Sequence, residues 1–373
     1  MYAARSLWCA IGVGRHVFSL LFALTFVDEI SARMLRVDKS DPEAFATITG
    51  ACAAASDGDT IRIARGTYVG GQGEEAAIVP LNGVSALIEG EPEVPSDVTL
   101  EGIRVTVLTG SNVIIRSMTW RRSGNTAILV AESAATVIGC VFDDIYGGTG
   151  ACLYGATAAM VVVSDCRFLG CSALTTGGAI SGSTFSIDRC EFIGNSAGES
   201  GGAIHGVGRI SHCLFVGNRA PSGAAVALST DGITGGSTVE HCTFVDNEAS
   251  GGGAVEFLES RNALRYSIIT GTKGGVGVVC WDVRDFACCN LWGNEYGNVV
   301  PLCLDMVNSG SFSEDPQFCD PATGDWRLKE TSPCASGTAG GRECGLIGAL
   351  GVGCSVSPVE RASWGKIKRR YAR

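Results

Sequence analysis

Four charged residues in the middle of the sequence have the side chains that acid–base chemistry requires. Asp165, Asp188 and Glu191 carry carboxylates, and Arg189 stands between two of them. Carboxylate oxygens are ligands that calcium prefers, and a bound cation would hold the carboxylate of an acidic sugar. A neighbouring basic side chain could then remove the α-proton of that sugar. We therefore take Asp165, Asp188, Arg189 and Glu191 as candidate catalytic residues, with Arg189 as the base.

The same part of the sequence holds further polar residues that could contact a ligand without reacting with it. They alternate with apolar residues and are therefore predicted to point outward: Arg167, His212, Glu240 and His241. A solvated protein wall also needs polar side chains, and opposite charges on neighbouring strands stabilise a sheet. Three interpretations of these eight residues remain open: a catalytic site, a non-catalytic ligand face, and an ordinary charged wall.

A repeat in the sequence must position these residues. The pattern apolar-x-x-Cys-x-Phe occurs five times, and looser copies flank it. Its fourth position is occupied, in order, by Met118, Cys140, Cys166, Cys190, Cys213, Cys242, Ser267 and Cys289. The steps between these residues are about 22 to 29 residues long, which is too short for helical repeats and fits one turn of a parallel β-helix.

Two further columns share the register of the repeat. Asparagines follow the aromatic residue by three positions at Asn195, Asn218 and Asn247, and Gly-Gly-Ala-Ile or a close variant comes later in several turns. Identical positions on successive turns would stack about 4.8 Å apart. The cysteines and phenylalanines are therefore predicted to fill the core, and the asparagines to close a turn. The sequence predicts an all-β, single-stranded parallel β-helix of about eight or more turns.

The ends of the predicted β-helix, residues 33–355, differ from its middle. In the first part, residues 41–71, Phe45, Ile48, Cys52 and Ala55 have helical spacing and predict a short helix that covers the open end of the stack. The string GDTIRIARGTY is then predicted to be the first strand. The last part, residues 300–355, is rich in glycine and cysteine and is predicted to be a distinct end segment.

The 17 cysteines are expected to have two fates. Disulfides are the usual fate in an exported chain. In a parallel stack, however, side chains at equivalent positions point the same way, whereas a disulfide needs them to converge. We therefore predict free buried thiols at Cys140, Cys166, Cys190, Cys213 and Cys242, and no metal site. In the end segment we expect disulfides among Cys319, Cys334, Cys344 and Cys354, with three possible pairings.

The first and last residues suggest how the chain is sorted. Arg5 and Arg15 precede the apolar stretch Val17–Phe26, so residues 1–32 are predicted to be a signal peptide or, alternatively, an anchor. The net charge of −10 argues against nucleic acid as the main partner. Residues 356–373 are predicted to be a basic, disordered tail. We expect a monomer that is secreted or lies at the cell surface.

Two resemblances extend these predictions. The cap, the repeat and the string DPQFCDPATGDWRLKETSPCASG (residues 315–337) resemble right-handed parallel β-helix proteins of the pectate-lyase-like superfamily, over residues 41–354. The GGAI and Phe-x-x-Asn strings also resemble repeats of polymorphic outer membrane proteins, as in Phe192–Asn195. The first resemblance implies a right-handed β-helix. The second implies a cell-surface protein.

These resemblances imply two functions. One is a structural, adhesive or polysaccharide-binding role, with polysaccharide or cell-surface components as partners and no cofactor. The other is a polysaccharide lyase or glycoside hydrolase that acts on an acidic polymer, with calcium as a possible cofactor of a lyase. Asp143 and Asp144 resemble the paired aspartates of polygalacturonases, but the Gly-His-Gly string of that family is missing. We therefore expect both aspartates to be exposed turn residues.

Overall fold

The computed structural model describes residues 32–71, 78–91, 95–229, 236–301, 303, 310–336, 338–339 and 342–354. Across these residues the chain winds into a parallel β-solenoid, in which strands pair with strands of the neighbouring turns. One sheet holds ten strands within the described ranges, which corresponds to about ten turns and confirms the predicted all-β fold. The predicted signal or anchor segment, except for its last residue, and the basic tail lie outside the described residues. No helix within these ranges is long and apolar enough to cross a membrane.

Three parallel sheets run along the solenoid axis. The long sheet consists of Met34–Val37, Thr60–Ile63, Ile78–Asn82, Ser85–Gly90, Arg104–Leu108, Asn112–Arg116, Ile128–Ala131, Ala134–Ile138, Leu153–Gly155, Met160–Ser164, Ile180–Asp188, Ile204–Ser211, Val226–Leu228, Thr238–Glu240, Gly253–Arg265 and Val276–Ala287. The second sheet consists of Gly66–Val69, Val98–Glu101, Thr119–Arg121, Val141–Asp143, Arg167–Leu169, Glu191–Ile193, Leu214–Val216, Thr243–Val245, Ile268–Thr270 and Asn290–Trp292. The third sheet consists of Tyr146–Gly147, Ser172–Ala173 and Ser196–Ala197.

The remaining described elements lie near the two ends. They are the helices Ile48–Ala54 and Pro333–Ser336, the 3-10 turn Pro95–Asp97, the antiparallel pair Phe318–Asp320 with Asp325–Leu328, and the antiparallel pair Thr338–Ala339 with Arg342–Glu343. The first helix confirms the predicted cap, and it buries Ile48, Ala51 and Cys52. The prediction that GDTIRIARGTY holds the first strand is wrong, because Met34–Val37 comes earlier and pairs with Thr60–Ile63. Four residues with only two buried positions gave too weak a periodic signal to be recognised.

The core is built from the inward-facing residues of the repeat. In six consecutive strands of the second sheet, the middle residue points inward and stacks on its neighbours: Trp120, Phe142, Phe168, Phe192, Phe215 and Phe244. Successive ring centroids are 4.6 to 5.1 Å apart. This distance follows from the spacing of about 4.8 Å between paired strands. The aromatic column therefore couples six consecutive turns through their largest side chains.

A ladder of buried asparagines closes the turn after the second sheet. The Nδ2 group of Asn195 donates to Oδ1 of Asn218 at 2.9 Å, and Nδ2 of Asn218 donates to Oδ1 of Asn247 at 3.0 Å. The backbone N–H groups of Asn195 and Asn218 donate to the same oxygens at 3.0 and 2.9 Å. Since all three residues are at most 1% exposed, the ladder supplies hydrogen bonds that water cannot. The predicted turn-closing role is confirmed.

The described cysteines form both free thiols and disulfides. Those at the fourth repeat position, Cys140, Cys166, Cys190, Cys213 and Cys242, are buried and unpaired, as predicted. The disulfides are Cys152–Cys171, Cys280–Cys303, Cys288–Cys344 and Cys319–Cys354. The prediction for the end segment is therefore only partly right, because Cys344 bonds to Cys288 of an earlier turn and Cys334 is unpaired and buried.

The end segment folds back onto the outer surface of the second sheet. Leu214, Val245 and Ile268 are outward-facing residues of this sheet, yet each is at most 4% exposed. They pack in one apolar cluster with Phe318, Trp326, Leu328 and Ile347 of the end segment. This contact brings Cys344 next to Cys288, which explains a disulfide that separation along the sequence did not suggest.

The N-terminal end contains a buried carboxylate that should give the fold an acid dependence. Asp59 accepts hydrogen bonds from the side chain and backbone of Arg33 and from the backbone N–H of Ser56. These bonds, led by that from the Arg33 side chain, lower the pKa of Asp59 to about 2. A lowered carboxyl pKa contributes stability that is present above the ordinary value of 3.8 and is lost as the pH falls through about 2.

We expect Asp59→Asn to reduce the pH dependence of stability in this window. The free energy of unfolding of the wild type, measured with urea, should fall between about pH 4 and pH 2. That of the variant should be lower at about pH 4 and should fall less over the same range. Glu43→Gln, an exposed substitution on the same end of the fold, is the matched control and should follow the wild type. Equal pH dependence in wild type and Asp59→Asn would contradict the assignment.

Candidate functional site

All eight polar residues predicted from the sequence lie along one edge of the solenoid, where each turn passes from the long sheet to the second sheet. Asp188 and Glu240 are the last residues of long-sheet strands. Arg167 and Glu191 are the first residues of second-sheet strands. The connecting position is occupied in successive turns by Asp165, Arg189, His212 and His241. We call this row of three positions per turn the charged edge.

The connecting residues have a backbone conformation that holds them outward. Their φ angles are 55° at Asp165, 50° at Arg189, 51° at His212 and 49° at His241. Aspartate and histidine are among the non-glycine residues that adopt this left-handed region most readily. The sharp turn places each side chain on the outside of the corner, next to the equivalent residue of the neighbouring turn.

The charges of this edge are paired with one another. Arg189 donates to both carboxylate oxygens of Asp165, at 2.8 and 3.0 Å, and also bonds to Asp188. His212 Nδ1 lies 3.0 Å from Oδ1 of Asp188. Asp165, Asp188, Arg189 and His212 therefore form one connected cluster across three turns.

The other charged candidates form separate pairs. Arg167 Nε donates to Oε2 of Glu191 at 2.7 Å. Glu240 binds Arg209, a residue that the sequence did not single out. The charged residues of the row are therefore held by ion pairs both between the eight residues and with a neighbour outside them.

The protonation states within the cluster do not suit proton abstraction by Arg189. The hydrogen bonds from Arg189 to Asp165, followed by the charges of Asp165 and Asp188, raise the pKa of the guanidinium above its already high value. Burial raises the pKa of Asp188, but the bonds from His212 and Ser211 and the charge of Arg189 outweigh it, so the net shift is downward. Both groups stay charged, and an arginine held by two carboxylates is a poor proton acceptor.

The carboxylates also do not form a calcium site. Each is already bound to a cationic side chain, and Glu191 points to Arg167 rather than to the Asp188 cluster. Over the described part of the chain, no group of three or more His, Cys, Asp and Glu residues is arranged to hold a metal ion. The donor set therefore does not fit the cation that a lyase of this kind would use.

An aromatic stack continues the edge beyond the cluster. The rings of His212 and His241 are parallel with centroids 5.1 Å apart, and the ring of Tyr266 stacks on His241 at 4.8 Å. Burial, followed by the charge of His212, lowers the pKa of His241. Its ring is therefore neutral at pH 7 and can stack without repelling a charged neighbour.

The sequence analysis missed the earlier half of the same edge. Arg62, Glu89 and Arg116 occupy the same register position on three consecutive turns. Three turns further along, Asp188 occupies this position. Glu89 accepts from Arg62 Nε and from Arg116 Nε, both at 2.8 Å. These residues, together with Glu91, line a cavity of about 530 Å³. Extending the repeat register two turns toward the N-terminus would have found them.

The carboxylate in this cavity fixes both arginines. Only 7% of the Glu89 side chain is exposed. Burial raises the pKa of Glu89, but the hydrogen bonds from Arg116 and Arg62 lower it by more. The net shift is downward, so Glu89 stays ionised. Each arginine contacts Glu89 through Nε and Nη2, and 36% and 48% of the Arg62 and Arg116 side chains remain exposed. The cavity thus presents two oriented guanidinium groups to solvent.

One further expectation needs correction. Asp144 is exposed, as predicted, but Asp143 is only 4% exposed and accepts a hydrogen bond from Arg121 Nε at 3.0 Å. Asp143 ends a second-sheet strand, and Arg121 occupies the same register position one turn earlier. Asp143 is therefore a buried residue of the second sheet that is bound to Arg121, whereas Asp144 is exposed to solvent.

A family-profile comparison agrees with this architecture. A family profile described as a right handed beta helix region matches residues 101–291. No curated protein sequence matches the chain. Two similar solved structures are of the PL6 family alginate lyase AlyGC, one of them a mutant, with 12% and 11% identity and TM-scores of 0.32 and 0.33. Each alignment covers 87% of this chain and 59% of the lyase, so the chain spans less than two thirds of the length of that enzyme. Since the family profile covers more than half of the sequence, the chain belongs to the right-handed β-helix family.

Proposed function

We propose that this chain is a non-catalytic β-helix that binds an extended acidic polysaccharide along the charged edge, as a structural or adhesive component. The observation that carries the proposal is the pairing of charges along this edge. In the Asp188 cluster each charged group is bound to another, which is the state of a stable polar surface rather than of a reactive site. A row in register also offers a polymer similar contacts at regular intervals of about 4.8 Å.

The cavity beside Arg62 and Arg116 supports an anionic ligand. Their Nη1 groups make no hydrogen bond to any described residue, while Nε and Nη2 are used by Glu89. An oriented guanidinium is well suited to carboxylate or sulfate groups because it can donate two parallel hydrogen bonds. We infer that the acidic groups of the polymer bind here.

The disulfides support a location outside the cytosol. Such bonds form and persist mainly in oxidising environments, and four of them occur in the described residues. Secretion or display at the cell surface, as suggested by the predicted signal segment and by the likeness to polymorphic outer membrane protein repeats, is part of the proposal. A monomer with polysaccharide or cell-surface components as its partners fits this setting.

The competing proposal is a polysaccharide lyase or glycoside hydrolase. Its support is the convergence of Asp165, Asp188 and Arg189 on one exposed corner, since acidic groups on an open face are what such reactions use. The paired state of these groups favours binding over catalysis.

We expect acidic polysaccharides to bind without being cleaved. Polygalacturonate and alginate, tested by isothermal titration with and without calcium, should bind and lose affinity as salt increases. Arg62→Ala and Arg116→Ala should each weaken binding by about ten- to a hundredfold, because a charge-assisted hydrogen bond contributes about 1.5–3 kcal/mol. No new double bond should appear in the ultraviolet absorbance, and no reducing ends should be released.

Two variants separate the competing proposals. Arg104→Ala, which removes an outward arginine from another strand of the long sheet, should leave binding unchanged. Arg189→Ala should weaken binding less than either cavity variant, because Asp165 and Asp188 already bind this guanidinium. Turnover of either polymer that disappears in Arg189→Ala would establish the enzyme instead, and binding unaffected by Arg62→Ala and Arg116→Ala would refute the assigned cavity.

A further inference from the structure

We propose that a groove on the third sheet binds an uncharged sugar chain, independently of the charged edge. The groove has a volume of about 400 Å³. It lies after the second sheet in each turn, whereas the charged edge lies before that sheet. The two surfaces therefore belong to different corners of the solenoid.

The groove runs parallel to the solenoid axis across four turns. One wall is a column in strict register that contains Tyr146, Ser172, Ser196 and Arg219. Leu174 and Pro221 line the same cavity as this column. Three steps of about 4.8 Å separate Tyr146 from Arg219, so the groove is roughly 14 Å long. That length accommodates a few linked sugar rings.

The walls combine apolar surface with hydroxyl groups. Tyr146 is 47% exposed and Leu174 is 61% exposed. Ser196 Oγ donates to Ser172 Oγ at 3.0 Å, which orients the two hydroxyls along the groove. A tyrosine ring offers an apolar face with a polar tip, and each serine hydroxyl can donate and accept. A sugar ring has the matching arrangement of an apolar face and hydroxyls at its rim.

The charges at the groove do not favour an ionic ligand. Arg219 is the cation that lines it, and its Nη2 lies 3.3 Å from Oε1 of Glu248 on the next turn. Among the lining residues Arg219 is thus the one charged contact for an acidic polymer, and it lies at one end of the groove. The hydroxyl and apolar contacts along the rest of the groove are equally available to a neutral polymer.

The backbone of the groove excludes an extended peptide as the favoured ligand. Peptides that bind to sheets usually add a strand at a free edge. Here, the backbone groups already pair between turns, as in the bonds from Leu174 N to Gly147 O at 2.9 Å and from Ala197 N to Arg219 O at 3.0 Å. The hydrogen bonds run along the groove, so its floor presents no unpaired strand edge. A sugar chain needs no such edge.

The test uses cellohexaose and mannohexaose as uncharged probes and hexagalacturonate as the charged one. Saturation-transfer NMR and isothermal titration on the full chain should detect binding of at least one neutral hexamer. Tyr146→Ala should weaken that binding by about tenfold, the upper end for one aromatic contact. Ser196→Leu, which narrows the groove from its half-exposed wall, should abolish it. Tyr296→Ala removes another exposed tyrosine, 64% exposed, and should have no effect.

The outcomes distinguish this inference from the proposed function. Loss of neutral-hexamer binding in Tyr146→Ala and Ser196→Leu, with binding retained in Arg62→Ala, would support the groove even if acidic polymers fail to bind. No binding of either neutral hexamer would overturn it. Equal affinities in wild type, Tyr146→Ala and Ser196→Leu would also overturn it. Urea unfolding midpoints close to that of the wild type would show that the variants fold.

Discussion

Replacing Phe192 with alanine is expected to lower the free energy of unfolding by about 3–5 kcal/mol, the range for removing a fully buried aromatic ring. Phe192 is 0% exposed and stacks between Phe168 and Phe215, with centroid distances of 4.7 and 4.8 Å. Alanine would leave a cavity that the neighbouring rings cannot fill, because their positions are fixed by the strand spacing. The loss comes from transfer of the ring to water and from the cavity that remains.

The position of Phe192 in the stack makes a second effect measurable. In a solenoid each turn contacts only its neighbours, so a weakened interface in the middle can uncouple the two halves. Urea unfolding should therefore become less steep or separate into two transitions. Phe192→Leu, which retains much of the volume, should cost less and keep a single transition. An alanine variant that unfolds in one equally steep transition with a loss below about 1 kcal/mol would contradict the stacked core.

Replacing Asn218 with alanine is expected to cost about 2–6 kcal/mol, because two buried donors lose their acceptor at about 1–3 kcal/mol each. Oδ1 of Asn218 accepts from the backbone N–H of Asn195 at 3.0 Å and from its Nδ2 group at 2.9 Å. Nδ2 of Asn218 also donates to the carbonyl oxygen of Phe192 at 3.0 Å. Water cannot replace these bonds, since Asn218 is 0% exposed.

The first asparagine of the ladder provides an internal comparison. Among the residues that the structure describes, Oδ1 of Asn195 accepts only the backbone N–H of Cys171, at 2.9 Å. In Asn195→Ala, therefore, one buried donor loses its acceptor rather than two. This variant should destabilise the fold less than Asn218→Ala. Urea unfolding of both variants measures the difference. Equal losses, or a larger loss at Asn195, would show that the amide ladder is not what holds this turn.

The repeat made the fold predictable because its chemistry is the same in every turn. Residues at the repeat position of Phe192 have the same environment on successive turns. A period in the sequence therefore predicts a column of stacked side chains. The cap helix was also predictable, since Ile48 and Cys52 have helical spacing. Met34–Val37 was not recognised, because a single short strand carries little periodic signal.

The candidate site was predictable in position but not in chemistry. Alternation along each strand placed Asp188 and Arg189 outside the core, and in the structure the eight residues lie along one edge. The ion pairs depend on contacts between turns, which the sequence of one turn does not specify. The pair between Glu240 and Arg209 is an example. The Cys288–Cys344 disulfide was hidden for the same reason, because it depends on where the end segment folds back.

The column of free thiols has a consequence for how the chain matures. Cys166, Cys190 and Cys213 stay reduced in a protein that also carries disulfides. Thiolates exchange with disulfides when they are accessible, so an unfolded chain would offer many wrong partners. Each of these thiols is enclosed only when the following turn packs against it, because the turns of a solenoid contact only their neighbours. Completion of the stack, turn by turn, therefore removes Cys166, Cys190 and Cys213 from thiol exchange.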